Sequence, residues 1–567
     1  MTYKNIKGSG GGRQTPPAPT RSPDTLNSKQ FATIQDLLSE GEIEGFASAS
    51  KAGLLKNSTA YNNASLKDVF FNNTPILNSS ASNTNPQDTD FNFNNVTFTP
   101  RFGTSNQTHI PGLQQSVATV PNFSPSICSK SGGGVTSPSI PTGKDAVKIT
   151  ITFPQIQRST DKGDLLGSSV EVKVSLKLNS ETSFTEQFTD TITGRSADQY
   201  SKEYRVNLPA TYSSAFVKVE RVTDDRTVGG LIVDEFSVSL MQTFIDDKQT
   251  YLNSAYTNIR LDSEQFSSIP DRSFRIRGIK TRIPGRSATL VTSTYTQSTT
   301  VVTVNSSNHG LSVGDNILFA ATSGAGVNGT YAITSVAENG NSFTFTSGTS
   351  QTVSTSNSTY RSTPHVDIQT GRISYPNNYV FAGVMSTAVW NSCPSMVLLD
   401  LLTNKRYGFG THIAPDQSTD PKLYANLDLF SFVAASRYAN ELVDDGFGSQ
   451  EARFSCNVNL QGSLGAYELI NELAGVMRCF PIWQSGSVSI TQDAPKDPSY
   501  LFSLANVTEE GFTYSGSSLR KRHSIVSVSY FNMDSREIDY EVVGDNVTQP
   551  NFLQEDVDRQ AKLGIVK

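Results

Sequence analysis

The stretch VKITITF (147–153) decides the fold together with SVEVKVSLKL (169–178), because apolar and polar residues alternate along both. A strand that buries one face and exposes the other has this period of two. The same alternation returns in YRVNLP (204–209), FVKVERV (216–222) and EFSVSL (235–240). Short alternating strands in close succession are typical of antiparallel architectures. We therefore predict a β-sandwich or barrel in this part of the chain.

The composition extends this prediction to the rest of the 567 residues. Only 17% of residues are charged and 36% are hydrophobic, and 41 glycines and 25 prolines accompany many Ser, Thr and Asn. Helical arrays need Ala, Glu, Lys, Leu and Arg in bulk, whereas short strands joined by polar turns suit this mixture. The length suggests roughly three to five domains. The predicted fold class is mainly β with α+β parts, in several domains.

Helical periodicity first appears near the start of the chain. Phe31, Ile34, Leu37 and Leu38 follow helical spacing and are followed by Gly41, which predicts a helix with a glycine stop.

Three further helices are predicted after residue 390. In the first, Pro394 suits the opening turn and precedes an apolar stripe. The second spans 423–443 and the third spans 463–478, with Ser463 as its N-cap. Together with neighbouring strands, these helices make the C-terminal region α+β.

Residues 287–360 differ in composition from their surroundings. They are rich in Ser and Thr, nearly lack Lys, Arg and Glu, and carry regularly placed glycines between short apolar runs. If residues 287–360 were removed, the flanking segments 275–285 and 371–383 would form one continuous host domain. This pattern predicts a small β module inserted into a host domain.

Charge, hydropathy and cysteine usage exclude several classes of protein. A formal charge of −6 provides no overall cationic field for a nucleic-acid backbone. The sequence has no run of about 18 apolar residues, so no transmembrane helix is predicted. The first residues also lack the apolar segment of a signal peptide. Four cysteines without a CxxC pair argue against a disulfide scaffold and a finger-type zinc site. We expect synthesis in a reducing cytoplasm.

The sequence carries no enzyme motif. Its five histidines lie far apart, and neither GxSxG nor GxxxxGK[ST] occurs. Glu40, Glu42 and Glu44 could supply a glycosidase pair, but a helix end on the surface is the favoured interpretation. Cys456 and Cys479 flank the third predicted helix, and buried free thiols are favoured over a disulfide or a metal site. We predict a protein with no catalytic residues, cofactor or metal.

Five longer strings are specific enough to suggest a family when they are taken in order. They are DTLNSKQFATIQDLLSEGEIEGF (24–46), IRLDSEQFSSIPDRSFRIRGIKTRIP (259–284), YPNNYVFAGVMSTAVWNSCPSMVLLDLLTNKRYGFG (375–410), DDGFGSQEARFSCNVNLQ (444–461) and AYELINELAGVMRCFPIWQSGSVSITQDAPKDP (466–498). The ordered set resembles the tail tip protein J family, the host-specificity proteins of lambda-like siphophages.

This resemblance implies a tail tip hub at the distal tip of the virion's tail, built as a homotrimeric ring of β-barrel or sandwich domains with small α/β domains. Such a hub closes the tail tube, organises tip and fibre attachment, and takes part in host attachment and genome ejection. The implied partners are the distal tail protein and other tail tip proteins, the tape-measure protein and tail fibres, with DNA only in transit. The chain stops inside what resembles a further family domain, so we expect a C-terminal extension that binds the host receptor.

The resemblance also singles out residues as structural hub motifs, and it leaves receptor-binding residues unassigned. The motif residues are Asp36, Glu40, Gly41, Glu44, Gly45, Asp262, Glu264, Gln265, Phe266, Arg277, Gly278, Arg406, Tyr407, Gly408, Gly410, Asp445, Gly446, Phe447, Gly448, Cys479 and Trp483.

Composition and resemblance together divide the chain into seven regions. They are a flexible basic Gly- and Pro-rich arm (1–23), a hub N-terminal helix with strands (24–95), a β-sandwich insertion (96–250), hub β-strands (251–286 and 361–384), the small inserted module (287–360), an α+β hub domain (385–498) and the start of a further β domain (499–567).

The alternative function is a virion-associated protein that binds or hydrolyses host glycans.

Overall fold

The structure is a computed structural model, and the part of the chain that it describes is not continuous. The described residues are 20–26, 31–111, 113–226, 231–262, 265–266, 268–413, 424–445, 448–461, 465–484, 486–495, 497–516, 525–532 and 537–544. The chain divides into two units, Met1–Asp493 and Ala494–Lys567. Strands predominate in the described residues, which confirms the predicted mainly β, multidomain class. No described helix combines the length and apolarity needed to cross a membrane.

The N-terminal region combines short strands with two short helices. Its β3–β4 hairpin turns at Asn72 and Asn73, both with positive φ, as a tight two-residue hairpin turn requires. The elements are β1 (Phe31–Ser39), β2 (Ile43–Phe46), α1 (Ala47–Lys51), α2 (Thr59–Leu66), β3 (Val69–Phe71), β4 (Thr74–Pro75), a 3₁₀ turn (Asp88–Asp90) and β5 (Thr97–Phe102).

The next part of the chain is made almost entirely of strands. They are β6 (Gln114–Thr119), β7 (Ser126–Cys128), β8 (Val135–Thr136), β9 (Ile140–Pro141), β10 (Ala146–Phe153), β11 (Gln157–Ser159), β12 (Leu165–Leu166), β13 (Ser168–Leu178), β14 (Thr185–Gly194), β15 (Tyr200–Asn207), β16 (Ser214–Arg221), β17 (Ile232–Val233) and β18 (Phe236–Asp246).

These strands form the predicted sandwich. One sheet has the order β15-β10-β18-β6, and the other has the order β14-β13-β16-β8. Alternate residues of both sheets, such as Ile149 and Val172, are buried in one shared core. A buried ion pair lies beside this core, because Arg221 Nη2 is 2.7 Å from Asp234 Oδ1 and both side chains are almost inaccessible to solvent.

The chain re-enters the N-terminal region after the sandwich. Strand β19 (Ala255–Asp262) is followed by β20 (Arg272–Phe274), β21 (Ile276–Ile279) and β22 (Thr281–Pro284). Strand β19 is the centre of the sheet β1-β19-β5. The chain therefore leaves for the sandwich along β5 and returns along its antiparallel neighbour, so residues 97–102 pair with the N-terminal sheet rather than with the sandwich.

The predicted helix at Phe31, Ile34, Leu37 and Leu38 is wrong. These residues form strand β1, which pairs with β19 in a register that places Ile34 opposite Ile259 and shifts between Leu37 and Ser39. The edge of β19 supplies backbone partners that the local periodicity could not reveal, and such tertiary pairing overrides helical spacing. The helical spacing of these apolar residues does not mark the buried face of a helix, since Leu37 is largely exposed.

Residues 20–26 lie against the sandwich, so part of the predicted flexible arm is fixed in place. Ser22 N donates to Leu165 O, and the buried Arg195 donates through Nη1 to Ser22 O and to Asp24 Oδ1, each at 2.7 Å. The reason is that Arg195, almost fully buried, needs acceptors, and this segment supplies its two shortest hydrogen bonds. Residues 1–19 of the arm lie outside the described residues.

The Ser- and Thr-rich segment that was predicted as an inserted module forms one antiparallel sheet with its own core. Where it joins the rest of the chain, Ser287 N donates to Ser362 O at 2.8 Å, so its two ends lie side by side. Its strands are β23 (Val291–Asn305), β24 (Asn316–Ala321), β25 (Gly329–Val336) and β26 (Ser342–Thr363).

The remaining elements of the first unit form an α+β region with a single apolar core. They are β27 (His365–Val366), β28 (Ile373–Ser374), β29 (Met385–Val389), α3 (Pro394–Thr403), α4 (Gly410–Ile413), α5 (Leu429–Ala439), β30 (Leu442–Asp444), β31 (Gln450–Ala452), α6 (Ala466–Val476), β32 (Cys479–Gln484) and β33 (Ser487–Gln492).

All three predicted C-terminal helices are confirmed, with different bounds. Pro394 occupies the first turn of α3, as expected. Helix α5 begins later than predicted because Asp428 caps it, its side chain accepting from Phe430 N. Helix α6 begins after Gly465, and the predicted cap Ser463 lies outside the described residues.

The second unit contains an antiparallel hairpin, β34 (Ile525–Asn532) with β35 (Glu537–Gly544). Apolar side chains on it, including Val528 and Tyr540, are about half exposed.

Candidate functional site

The residues after α3 form a short loop that caps the helix. The last carbonyls of a helix lack partners within it, and this loop supplies them: Phe409 N donates to Leu401 O at 2.7 Å. The loop is fixed internally as well, since Gly410 N donates to Asn404 O at 3.0 Å. We call residues 404–410 the clamp loop.

Gly408 lets the clamp loop return close to the helix. A Cβ at this position would lie only 2.1 Å from Leu401 O, a separation that no side chain tolerates. The close return places Arg406 and Tyr407 where they contact the N-terminal region.

Arg406 joins the α+β region to the N-terminal region. Its Nε donates to Glu40 Oε2 at 2.7 Å and its Nη2 donates to Ser254 Oγ at 2.7 Å. Its Nη1 also donates to Leu252 O at 3.2 Å. Glu40 and Arg406 are 366 positions apart in the sequence, so the structure brings together motif residues from two distant strings.

Tyr407 lies on the other side of the same junction. Its hydroxyl donates to Asp400 Oδ2 at 2.6 Å. Its ring packs on Gly41, where an added Cβ would lie 3.1 Å from Tyr407 Cε1. Burial raises the pKa of Asp400 to about 6, although the Tyr407 hydroxyl and the charge of Arg282 act in the opposite direction. The junction therefore contains a carboxyl group that titrates near neutrality.

Replacing Asp400 with Asn should remove a pH dependence of stability. Because folding raises this pKa from 3.8 to about 6, the stability linked to Asp400 is fully present below pH ~4 and is lost as pH rises through ~6. The asparagine keeps an acceptor for Tyr407 but cannot ionise. We expect the variant to gain about 2 kcal/mol over the parent between pH ~4 and pH ~8. Urea unfolding across this range measures the gain, and parallel pH profiles would contradict it.

A cleft of about 520 Å³ opens beside the clamp loop, and its lining includes Glu42, Asp400 and Arg406. Lys280 at its wall donates to Glu42 Oε1 at 2.8 Å and lies 3.6 Å from Glu44 Oε2. Burial lowers the pKa of Lys280, but Glu42 and Glu44 outweigh burial, and the net shift is upward. The charges here are paired, as expected for a structural junction.

Other motif residues form a second contact within the N-terminal region. Gly45 lies opposite Arg277 in the β2–β21 pair. It has φ +137°, and a Cβ there would lie 2.0 Å from Tyr61 Oη, so the position requires glycine. Gly278 is next in β21 and has open space around it.

Asp36 is held by a bidentate ion pair. Arg272 donates through Nε and Nη2 to its two carboxylate oxygens at 2.7 and 2.9 Å. The bond to Asp36 raises the pKa of Arg272. This pair ties β1 to β20 and has the fork geometry that makes such contacts specific.

The motif residues after β19 contact the loop before β5. Gln265 accepts from Asn94 N, and Asp262 accepts from Asn95 Nδ2. Phe266 packs edge-on against Phe71. Glu264 lies outside the described residues.

The C-terminal motif residues are not brought to the junction. Asp445 accepts from Ser449 N within its own turn near Gly448, and the neighbouring motif residues Gly446 and Phe447 lie outside the described part of the chain. Trp483 is 66% exposed. The four cysteines are free thiols, and burial raises the pKa of Cys479 to about 11, so its thiol stays protonated near neutral pH.

The sequence analysis missed two side chains that make these contacts, Asp400 and Arg272. Only Asp400 left a signal, because it is a lone carboxylate inside the apolar run MVLLDLL of α3. Among the described residues, no group of three or more His, Cys, Asp or Glu side chains could hold a metal ion.

Comparisons with known proteins agree with the motif order. A family model described as the FNIII-A domain of tip attachment protein J matches residues 130–247, which contain strands β8 to β18 of the sandwich. The chain is 24% identical over 537 residues to the tip attachment protein J of Escherichia phage SECphi27, a match that covers 94% of this chain and 34% of that protein. The chain is thus similar to the tip attachment protein J family. A second J protein, from Escherichia phage SECphi4, is 23% identical over 543 residues, covering 95% of this chain and 37% of its own length.

The similarity to these J proteins supports a phage tail tip protein and a component of the virion tail. The family name is that of a structural attachment protein. The chain spans about a third of the length of the two J proteins it matches.

Proposed function

We propose that the chain forms the hub at the distal tip of a long non-contractile phage tail. In this role it closes the tail tube until the host is engaged, organises tip and fibre attachment, and takes part in host attachment and genome ejection. The observation that carries the proposal is the match to two tip attachment proteins over 94% and 95% of the chain.

The geometry of the junction supports a role in transmitting force along the tail. The Glu40–Arg406 and Asp36–Arg272 pairs join segments that are 366 and 236 positions apart. These ion pairs between distant segments hold sheets and helices of the first unit in contact. A protein that transmits force along a tail requires such contacts. Several carboxylates of the sandwich are likewise bound to cations, as Asp246 is to Arg205 at 2.6 Å. This pairing favours scaffolding over glycan hydrolysis.

The proposed partners follow from this position. They are two further copies of the chain in a homotrimer, the distal tail protein and other tail tip proteins, the tape-measure protein and tail fibres. The host receptor would be bound by a C-terminal extension. DNA would pass only in transit, which suits a chain of net charge −6 because a cationic wall would retain phosphate.

Strand β32 offers a surface for contact between copies. Phe480, Ile482 and Trp483 are 63%, 40% and 66% exposed, and among the described strands β32 pairs with β33 alone. Exposed apolar side chains beside an open strand edge favour association.

Replacing Phe480 with Asp should weaken the trimer at least about tenfold in dissociation constant, because a charge would be buried in an apolar contact. Sedimentation velocity of the purified chain measures this. Leu55→Asp is the matched control, since Leu55 is 82% exposed but lies in the N-terminal region. A monomeric parent, or equal effects of the two substitutions, would contradict the proposed assembly.

A further inference from the structure

A second cleft lies where the inserted module meets the strands that precede and follow it. Its volume is about 480 Å³, within the range that holds a small ligand. Most of its surface is apolar, from residues such as Ile283, Ile368 and Val389, while charged side chains stand at defined points of the wall. The lining also includes Glu44, the carboxylate that lies 3.6 Å from Lys280 Nζ.

Arg277 is the most unusual group in this cleft. The residue is only 3% exposed, yet among the described residues its guanidinium has no carboxylate within ion-pair distance. Its one hydrogen bond from the side chain is from Nη2 to Gln369 O at 3.2 Å. A buried cation normally has an anionic partner. Its remaining N–H groups are therefore available to an acceptor that enters the cleft.

Trp390 packs against this guanidinium. Arg277 Cζ lies 4.1 Å from the centre of the indole ring, which is a cation–π contact. The indole is itself held closely, because a Cβ on Gly371 (φ +78°) would lie 2.8 Å from Trp390 Cη2. The contact restricts the guanidinium before any ligand arrives.

The other polar groups of the cleft suit hydroxyl groups and a second contact to an anion. Arg286 is exposed at the rim and has no ion pair within the described part of the chain. His365 Nδ1 is buried without a hydrogen-bond partner among the described residues. Thr330, Thr363 and Ser386 add hydroxyl groups to the wall.

We propose that this cleft binds an acidic sugar, with the carboxylate on Arg277 and Arg286, the ring against the apolar wall, and the sugar hydroxyls on His365 and the threonine and serine side chains. A planar guanidinium fork matches a carboxylate. The combination of an apolar wall with several hydroxyl partners fits a sugar ring better than an acidic peptide side chain, which needs only the fork. The tail tip role enters at one point only: it supplies the source of the sugar, the polysaccharide of the host surface.

The test uses the full chain carrying Trp483→Phe. The chain has only two tryptophans, so Trp390 fluorescence then reports on the cleft alone. The titrants are methyl glucuronide and methyl glucoside, which differ only in the carboxylate. We expect a saturable change with glucuronide at millimolar concentration and at least about tenfold weaker binding of glucoside. Arg286→Ala should weaken glucuronide binding about fivefold to tenfold, and this exposed side chain can be removed without opening the core.

Arg158→Ala is the control, because Arg158 is exposed on the sandwich and far from the cleft in the fold; it should bind glucuronide as the parent does. Equal response to the two sugars, no response to glucuronide, or equal effects of the two arginine substitutions would overturn the proposal. Binding of N-acetylglutamate without binding of glucuronide would also overturn it, and would assign the cleft to a protein carboxylate. Each result concerns the purified chain, so none of them bears on where the protein lies in the virion.

Discussion

Replacing Arg221 with Met is expected to destabilise the sandwich by about 3–5 kcal/mol. Arg221 donates to the carboxylate and to the backbone carbonyl of Asp234 at 2.7 and 2.6 Å, and the two side chains are 2% and 0% exposed. Methionine fills similar space but leaves the Asp234 charge buried. Ser168 Oγ at 2.8 Å and Arg226 Nε at 3.6 Å remain near it, which is too little compensation for a charge removed from water.

Hydrogen exchange in β13 and β16 measures this effect locally, because both strands belong to the sheet that carries Arg221. Lys130→Met is the matched control: it breaks an ion pair with Asp224 whose side chains are 51% and 80% exposed, so we expect little change in stability. Protection factors that fall equally in the two variants would show that the buried pair has no special role.

Replacing Gly408 with Ala is expected to cost at least about 3 kcal/mol, because the new methyl group would meet Leu401 O at 2.1 Å. The obstacle is backbone at the end of α3, which cannot rotate away as a side chain could. Relief requires the clamp loop to leave the helix. The loop would then lose the Phe409–Leu401 hydrogen bond and the contact of Arg406 with Glu40.

Gly278→Ala provides the control for this substitution, since nothing lies within 4 Å of the added methyl group. Thermal unfolding of both variants should show a large loss for position 408 and little change for position 278. Virion incorporation should follow the same order if the junction is needed for assembly. Equal melting of the two variants would mean that the clamp loop does not stabilise the fold.

The sequence predicts the strands of the sandwich well and the start of the chain poorly, for one physical reason. In β10 and β13 the alternation of apolar residues coincides with the face that each strand buries, so the local pattern alone predicts the strand and its buried face. In β1 the spacing of Phe31, Ile34 and Leu38 imitates a helix, while the partner that decides the matter, β19, lies more than 200 residues away. Local periodicity contains no information about such a partner.

The candidate site shows the same division. The motif strings contain Glu40, Gly41, Arg406 and Tyr407, and the structure brings these residues together. What the strings could not show is which residues face each other, because each contact joins segments hundreds of positions apart. The importance of Asp400 depends on burial, which the sequence indicates only through its apolar neighbours.

Immunogold electron microscopy of intact virions, with an antibody raised against residues 24–567, tests the central proposal most directly. If the chain is the hub of the tail tip, gold should be confined to the distal end of the tail. Gold on the capsid or on side fibres, or virions without gold, would contradict that placement.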